Sequence, residues 1–211
     1  TGVTIKGTGS YLPERVMSNH ELEALVETSD EWIRARTGIA ERRIAADDEP
    51  TSVLAANAAL AALEQANMQP ADIDLIIVAT LSPDTPFPNT ACHVQRRIGA
   101  DQSACFSLEA ACSGFVYGFE VAAALIRSGA HRNVLLIGAE KMSSTLDWTD
   151  RTTCVLFGDG AGAVVLTAAE EAEDCFLASE LGADGKHSAL LHVPAGGSAM
   201  PVTPRCSNSG Y

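Results

Sequence analysis

The stretch Phe106–Phe115, which reads FSLEAACSGF, decides the fold. Its first residues end an apolar run, Ala104–Leu108, that is typical of a short buried strand. The next residues are small and open a predicted helix, Cys112–Ser128, which stops before Gly129 as a helix with a C-terminal glycine does. The pattern therefore predicts a strand that turns sharply into a helix, with Cys112 at the turn.

The flanking sequence repeats this alternation of strands and helices. Leu75–Ala79 (LIIVA) and Asn133–Gly138 (NVLLIG) are continuous apolar runs, which indicate strands covered on both faces. Further predicted elements are strands at Val3–Gly9, Ala163–Leu166 and Leu177–Leu181 and helices at Thr51–Ala66 and Thr90–Ile98. Together they predict a layered α/β fold with a mainly parallel sheet.

Composition narrows the class of protein. The chain has 211 residues, 46% of them hydrophobic, and a net charge of −13 from 14 basic and 27 acidic residues. Such a surface repels nucleic acid and anionic membranes, and no apolar stretch has transmembrane length. The six cysteines form neither a Cys-x-x-Cys pair nor a Cys/His cluster, so we expect a cytoplasmic protein with reduced, buried thiols and no metal site.

Cys112 is the candidate nucleophile. The amide groups and dipole at a helix start stabilise a thiolate, and they can donate to an oxyanion that forms beside the sulfur. A small thiol that fills space near a helix start would give the same pattern. The residues alone leave both interpretations open.

A second candidate site lies in Thr28–Gly38 (TSDEWIRARTG). Trp32 and Arg36 are four residues apart and share one face of a predicted helix. An indole beside a guanidinium can stack a purine and hold a phosphate, although a surface Trp shielded by an Arg side chain is the alternative. Asp147–Thr153 (DWTDRTT) supplies another stacking guanidinium, Arg151, or is simply a polar loop.

The glycines at 158, 160 and 162 resemble a phosphate-binding loop only superficially. No Lys-Ser/Thr pair follows them, so we interpret them as tight turns before a strand.

Six stretches together resemble the β-ketoacyl-acyl-carrier-protein synthase III family. They are GTGSYLPE (7–14), TSDEWIRARTGI (28–39), FPNTACHVQRRIG (87–99), AACSGFVYG (110–118), DWTDRTTCVLFGDGAGAVVL (147–166) and ADGKHSALL (183–191). The resemblance implies the thiolase fold, α/β with two similar halves, each built on a mixed five-stranded sheet with helices. We expect residues 1–170 to form the first half, which carries the nucleophile, and 171–211 to begin a truncated second half.

The resemblance also implies residue roles. Cys112 matches the acyl-accepting nucleophile. Trp32 and Arg151 match the pair that sandwiches the adenine of coenzyme A, and Thr28 and Arg36 line the same end of the site.

Three further positions match the acyl and pantetheine parts of the family's site. Leu156 and Phe157 match the lining of the pantetheine tunnel, and Phe87 matches a residue that crosses a homodimer and limits the neighbour's acyl pocket. Thr152 departs from the Gly that relatives often carry beside the stacking Arg.

The implied activity initiates type II fatty-acid synthesis. Acetyl- or another short acyl-coenzyme A acylates Cys112, and malonyl-acyl-carrier-protein is then condensed with loss of carbon dioxide. Coenzyme A is a substrate here, and no cofactor is implied. The family's catalytic His and Asn lie beyond Tyr211, and neither His187 nor His192 replaces them.

Two alternatives stay open. One is a specialised condensing enzyme of secondary metabolism, and the other is a non-catalytic fragment that lacks the His and Asn. The acidic carrier protein would need a basic docking patch, for which the candidates are Arg34, Arg36, Arg42 and Arg43.

Overall fold

A mixed five-stranded sheet forms the centre of the protein, in a computed structural model that describes residues 1–202. The strands are β1 (Gly2–Tyr11), β2 (Arg15–Ser18), β3 (Glu41–Ile44), β4 (Leu75–Ala79), β5 (Ala104–Leu108), β6 (Asn133–Lys141) and β7 (Asp159–Ala169). The helices are α1 (Asn19–Glu23), α2 (Asp30–Thr37), α3 (Thr51–Ala66), α4 (Thr90–Ile98) and α5 (Gly114–Arg127).

The sheet has the strand order β1-β7-β6-β4-β5, and β2 pairs with β3 in a separate hairpin. β4 runs parallel to β5 and β6, whereas β7 runs antiparallel to β6 and β1. The mixed sheet of the thiolase fold is thus confirmed, and the mainly parallel sheet is wrong. Parallel neighbours need a crossover connection. Helices α4 and α5 provide it within β4–β6, but the segment before β7 contains no α-helix and returns the chain antiparallel.

Alternating side chains of the sheet bury two separate cores. Ile76 and Val78 of β4 point to the face covered by α3 and α4. Leu75 and Ile77 point to the opposite face, which α5 covers. This alternation explains why β4 is apolar at every position, because each of its faces meets a helix.

Small residues let the helices approach the sheet closely. A Cβ atom at Gly9 of β1 would overlap the carbonyl oxygen of Ala58 and the amide nitrogen of Ala62 on α3. On the other face, a Cβ at Gly118 of α5 would lie 2.5 Å from Leu136 Cδ1 of β6. Gly9 and Gly118 therefore serve the close packing of helices on the sheet.

Two predictions about local structure are wrong. Leu177–Leu181 is not a strand, because side-chain bonds hold this segment on α5, with Ser179 Oγ donating to Glu120 Oε2 at 2.6 Å. Gly160 and Gly162 lie inside β7, where they pair with Glu140 and Gly138 of β6.

The β2–β3 hairpin was not predicted from the sequence. Cys206, counted among the thiols above, lies outside the described residues. Within residues 1–202, no helix is long and apolar enough to cross a membrane.

We expect Gly9→Ala to lower the free energy of unfolding by roughly 1–3 kcal/mol, the usual cost of forcing extra volume into a packed core. Chemical denaturation measures this. Gly162→Ala is the matched control, because a Cβ there meets nothing within 4 Å. Equal stabilities of the two variants would contradict the close packing of α3 on β1.

Candidate active site

Cys112 lies in a tight turn between β5 and α5. The strand ends at Leu108, a single 3-10 turn spans Ala111–Ser113, and α5 begins at Gly114 rather than at Cys112 as predicted. Ala111 has a φ of +46°, an uncommon conformation for a residue with a Cβ. Within residues 1–202, the Cys112 side chain is exposed, so Cys112 is not a thiol that fills space in the core.

Two contacts hold this turn. The amide of Ala111 donates to Glu109 Oε1 at 2.9 Å. A Cβ at Gly114 would lie only 3.1 Å from the Ala79 side chain at the end of β4, so glycine lets α5 start close against the sheet. Because Cys112 precedes the first residue of a 14-residue helix by two positions, its sulfur lies near the positive end of the α5 dipole.

The turn lies where adjacent connections leave the sheet on opposite faces. The chain leaves β4 through α4, on the α3 side, and leaves β5 through α5, on the other side. Such a point, outside the carboxyl ends of parallel strands, is where open α/β sheets bind ligands. A cavity of about 250 Å³ lies there, lined by residues that include Thr80, Asn89, Ser107 and Glu109.

Glu140, which no sequence motif marks, binds the backbone that forms one wall of this cavity. Its carboxylate accepts from Leu81 N at 2.9 Å, from Ser82 N at 3.1 Å and from the Thr80 and Ser82 hydroxyls. Burial raises the pKa of the Glu140 carboxyl, and the hydrogen bonds act against that rise. The contacts join distant segments, which is why no local motif marks this residue.

The predicted nucleotide cluster is assembled in space. The Arg36 guanidinium carbon lies 4.4 Å from the Trp32 ring centroid, and that of Arg151 lies 5.2 Å from it. Arg36 and Trp32 share a face of α2, while Arg151 comes from the segment before β7 and donates to Glu27 O at 3.1 Å. Two cations over one indole make a local positive site on a strongly acidic protein.

The other predicted site residues lie as follows. Thr28 Oγ1 is buried and has no hydrogen-bond partner among the described residues. Leu156 is 44% exposed, and Phe157 is half-buried. Phe87 is 88% exposed, beyond the helix–sheet core. Thr152 is exposed and donates from both its amide and its hydroxyl to Asp150 Oδ1.

The four arginines suggested for carrier-protein docking do not form one basic patch. Arg42 is only 6% exposed, so the prediction of a surface role for it is wrong. Arg34 is bound to Asp30, with Nε at 2.8 Å from Oδ1, and Arg36 lies on the indole. Arg43 donates to Pro13 O at 3.0 Å.

The thiols differ sharply from one another. Cys154 is buried, whereas Cys112 and Cys175 are exposed, so the expectation of buried thiols is wrong for these two. Cys92 and Cys105 lie in contact, with their sulfurs 3.6 Å apart, and burial raises the pKa of Cys105 to about 11. Of the exposed pair, Cys112 alone stands at a helix start.

In residues 1–202, no three His, Cys, Asp or Glu side chains form a group that could hold a metal ion.

Comparison with known proteins gives a consistent result. The model of the 3-oxoacyl-[acyl-carrier-protein] synthase III family matches residues 106–185. A β-ketoacyl-[acyl-carrier-protein] synthase III of Caldanaerobacter subterraneus is 54% identical over 199 residues, which cover 94% of this chain and 60% of that protein.

Solved structures extend the likeness to the fold. A 3-oxoacyl-(acyl carrier protein) synthase III from Pseudomonas aeruginosa superposes with a TM-score of 0.88 at 44% identity, over 95% of this chain and 62% of that one. The priming β-ketosynthase of the R1128 polyketide pathway superposes with a TM-score of 0.77 at 40% identity, over 80% of this chain and 50% of that one.

The chain therefore spans about three fifths of the length of the Caldanaerobacter and Pseudomonas proteins. Over that span it shares their sequence, the mixed sheet and the turn that carries Cys112. It belongs to the β-ketoacyl-acyl-carrier-protein synthase III family, within the thiolase superfamily of condensing enzymes.

Proposed function

We propose that the protein takes the acyl group of acetyl- or another short acyl-coenzyme A onto Cys112, as the first stage of a condensation with malonyl-acyl-carrier-protein that starts type II fatty-acid synthesis. The observation that carries the proposal is the exposed Cys112 thiol at a helix start, three residues after Glu109, which lines a cavity of about 250 Å³. The nucleotide end of coenzyme A would bind against Trp32, and Leu156 and Phe157 would line the path of its pantetheine arm.

Acyl capture follows ordinary thioester exchange. The Cys112 thiolate attacks the thioester carbonyl, and the electron pair of that carbonyl moves onto its oxygen. Collapse of this tetrahedral intermediate forms the acyl-cysteine and expels the thiolate of coenzyme A. The dipole of α5 stabilises the attacking anion and favours negative charge on the intermediate.

The condensation stage would break the bond between the malonyl methylene carbon and its carboxylate. The electron pair of that bond attacks the acyl-cysteine carbonyl, and the Cys112 thiolate leaves. The His and Asn expected to stabilise the intermediate enolate are not among the described residues. What these residues support directly is acyl capture.

The binding of coenzyme A requires the nucleotide cluster to open. Arg151 lies against the indole at 5.2 Å, which leaves no layer free for a base between them. We infer that Arg151 moves away when adenine stacks on Trp32, and that the phosphates meet Arg36. The buried hydroxyl of Thr28 gains a polar partner at the same end of the site.

We also propose that the protein acts as a homodimer. Phe87 is 88% exposed, and β5 is an edge strand of the sheet. A large exposed aromatic beside an unpaired strand edge favours contact with a second copy.

A specialised condensing enzyme remains the second candidate, because the R1128 priming ketosynthase shares 40% identity and the same fold. A panel of acetyl-, octanoyl- and aryl-coenzyme A separates the two. Fastest acylation by acetyl-coenzyme A supports the fatty-acid role, and preference for an aryl or long-chain donor supports the alternative.

We expect Cys112→Ala to abolish covalent labelling by radiolabelled acetyl-coenzyme A, because no other exposed thiol of residues 1–202 lies at a helix start. Denaturing gels and intact mass spectrometry measure the label. Cys175→Ala removes the other exposed thiol and serves as the control, which should label as the wild type does. Undiminished labelling of Cys112→Ala would refute the assignment.

We expect Trp32→Ala to weaken coenzyme A binding by roughly 1–3 kcal/mol, the usual worth of stacking one base on an aromatic side chain. Calorimetry gives the dissociation constant. Trp32→Phe keeps an aromatic face and should lose less. If both variants bind coenzyme A as tightly as the wild type, Trp32 lies outside the site.

A further inference from the structure

Arg42 occupies an unusual position for a cation. It lies in the middle of the β2–β3 hairpin and is 6% exposed. Its guanidinium donates to Met17 O at 3.2 Å, to Asn19 Oδ1 at 2.8 Å and to Val155 O at 3.2 Å. These acceptors belong to two segments that are far apart in the chain, one at the junction of β2 and α1 and the other before β7.

The acceptors are neutral, so charge pairing does not explain why Arg42 is buried. Within residues 1–202, Arg42 forms no ion pair, and its Nε has no hydrogen-bond partner. Burial lowers the pKa of Arg42, which reflects the cost of removing its charge from water. A simple packing role would be served better by an apolar side chain.

One connection from Arg42 leads to α2. Asn19, which is fully buried, accepts from Arg42 and donates through Nδ2 to Asp30 Oδ1 at 2.8 Å. Asp30 is the first residue of α2, the helix that carries Trp32 and Arg36. Hydrogen bonds from Asn19 and then Arg34 lower the pKa of Asp30, so this link is anionic at neutral pH.

The other connection leads to the segment that carries Arg151. The bond to Val155 O lies four residues after Arg151 and one before Leu156. Close by, a Cβ at Gly158 would lie 2.9 Å from Arg42 Cβ, so the chain after Val155 packs directly on β3. Helix α2 and the segment that carries Arg151 also share a small apolar core, which contains Ile33 of α2 together with Cys154 and Val155.

We propose that Arg42 is a positioning residue for the nucleotide end of the coenzyme A site: it fixes α2, with Trp32 and Arg36, relative to the Arg151 segment. Arg42 touches no ligand in this role and acts through Asn19 and the Val155 carbonyl. The proposal rests on the proposed function, because it presumes that coenzyme A binds at Trp32.

The test compares the binding of coenzyme A, which has the nucleotide, with acylation by S-acetyl-pantetheine, which lacks it. We expect Arg42→Met to raise the dissociation constant of coenzyme A about tenfold, which equals about 1.4 kcal/mol. The rate of Cys112 acylation by saturating S-acetyl-pantetheine should stay at the wild-type value, because that donor has no adenine. Arg42→Lys keeps the charge but loses the forked geometry, so we expect an intermediate, roughly threefold rise.

Two further variants make the test specific. Arg15→Met removes an exposed guanidinium from the same hairpin and should leave both measurements unchanged. Gly158→Ala pushes the chain after Val155 away from β3 by contact with Arg42 Cβ rather than with the guanidinium, and it should also weaken coenzyme A binding. Should Arg42→Met fail to fold, Arg42→Lys and Gly158→Ala decide the question.

Unchanged coenzyme A affinity in the folded Arg42 variants would overturn the proposal. A fall of about tenfold in the rate of acylation by S-acetyl-pantetheine would do the same, because it would make Arg42 a general structural residue. Failure of the underlying function gives a different result, since coenzyme A would then bind Trp32→Ala as tightly as the wild type.

Discussion

The close approach of helices to both faces of the central sheet is the constraint on which the rest of the structure depends. Gly9 lets the sheet lie against the backbone of α3, and Gly118 and Gly114 bring α5 against β6 and β4. Because α5 starts so near the end of β4, the chain between Leu108 and Gly114 must turn sharply. The positive φ of Ala111 is a consequence of this turn, and Cys112 is exposed by it.

A second level of organisation joins the two halves of the proposed site. The nucleotide cluster belongs to a small apolar core of its own, built from the β2–β3 hairpin, α1, α2 and the segment before β7. That core meets the main sheet through β7, where Asp159 accepts from Ala45 N at 2.7 Å and from Ser143 N at 2.8 Å. The nucleophile and the nucleotide cluster therefore rest on different cores, which the hydrogen bond from Ala45 to Asp159 of β7 joins.

Elements that depend on neighbouring residues in the chain could be predicted from the sequence. The apolar run at Leu75–Ala79 and the strand–turn–helix around Cys112 depend on neighbours in the chain, and both lie where expected. The antiparallel return of β7 and the missed hairpin depend on tertiary pairing, which periodicity does not encode. Arg42 shows the difference most clearly, because the three consecutive charged residues Glu41–Arg43 indicate a surface segment, whereas the folded hairpin buries Arg42.

Only the part of the site that is formed by residues close in the chain could be predicted from their spacing. Trp32 and Arg36 are one helical turn apart, so sequence spacing sufficed to pair them, whereas Arg151 joined them only through family resemblance. Glu140 and the Asn19–Arg42 link were missed, since their partners lie at least 23 residues away in the chain.

The most direct test of the central claim is a crystal structure of the protein with coenzyme A bound. We expect the adenine to stack on Trp32, with Arg151 displaced from its 5.2 Å contact, and the thiol end to reach Cys112. Coenzyme A bound elsewhere, with Arg151 still lying on the indole, would contradict the claim that the nucleotide cluster and Cys112 serve one reaction.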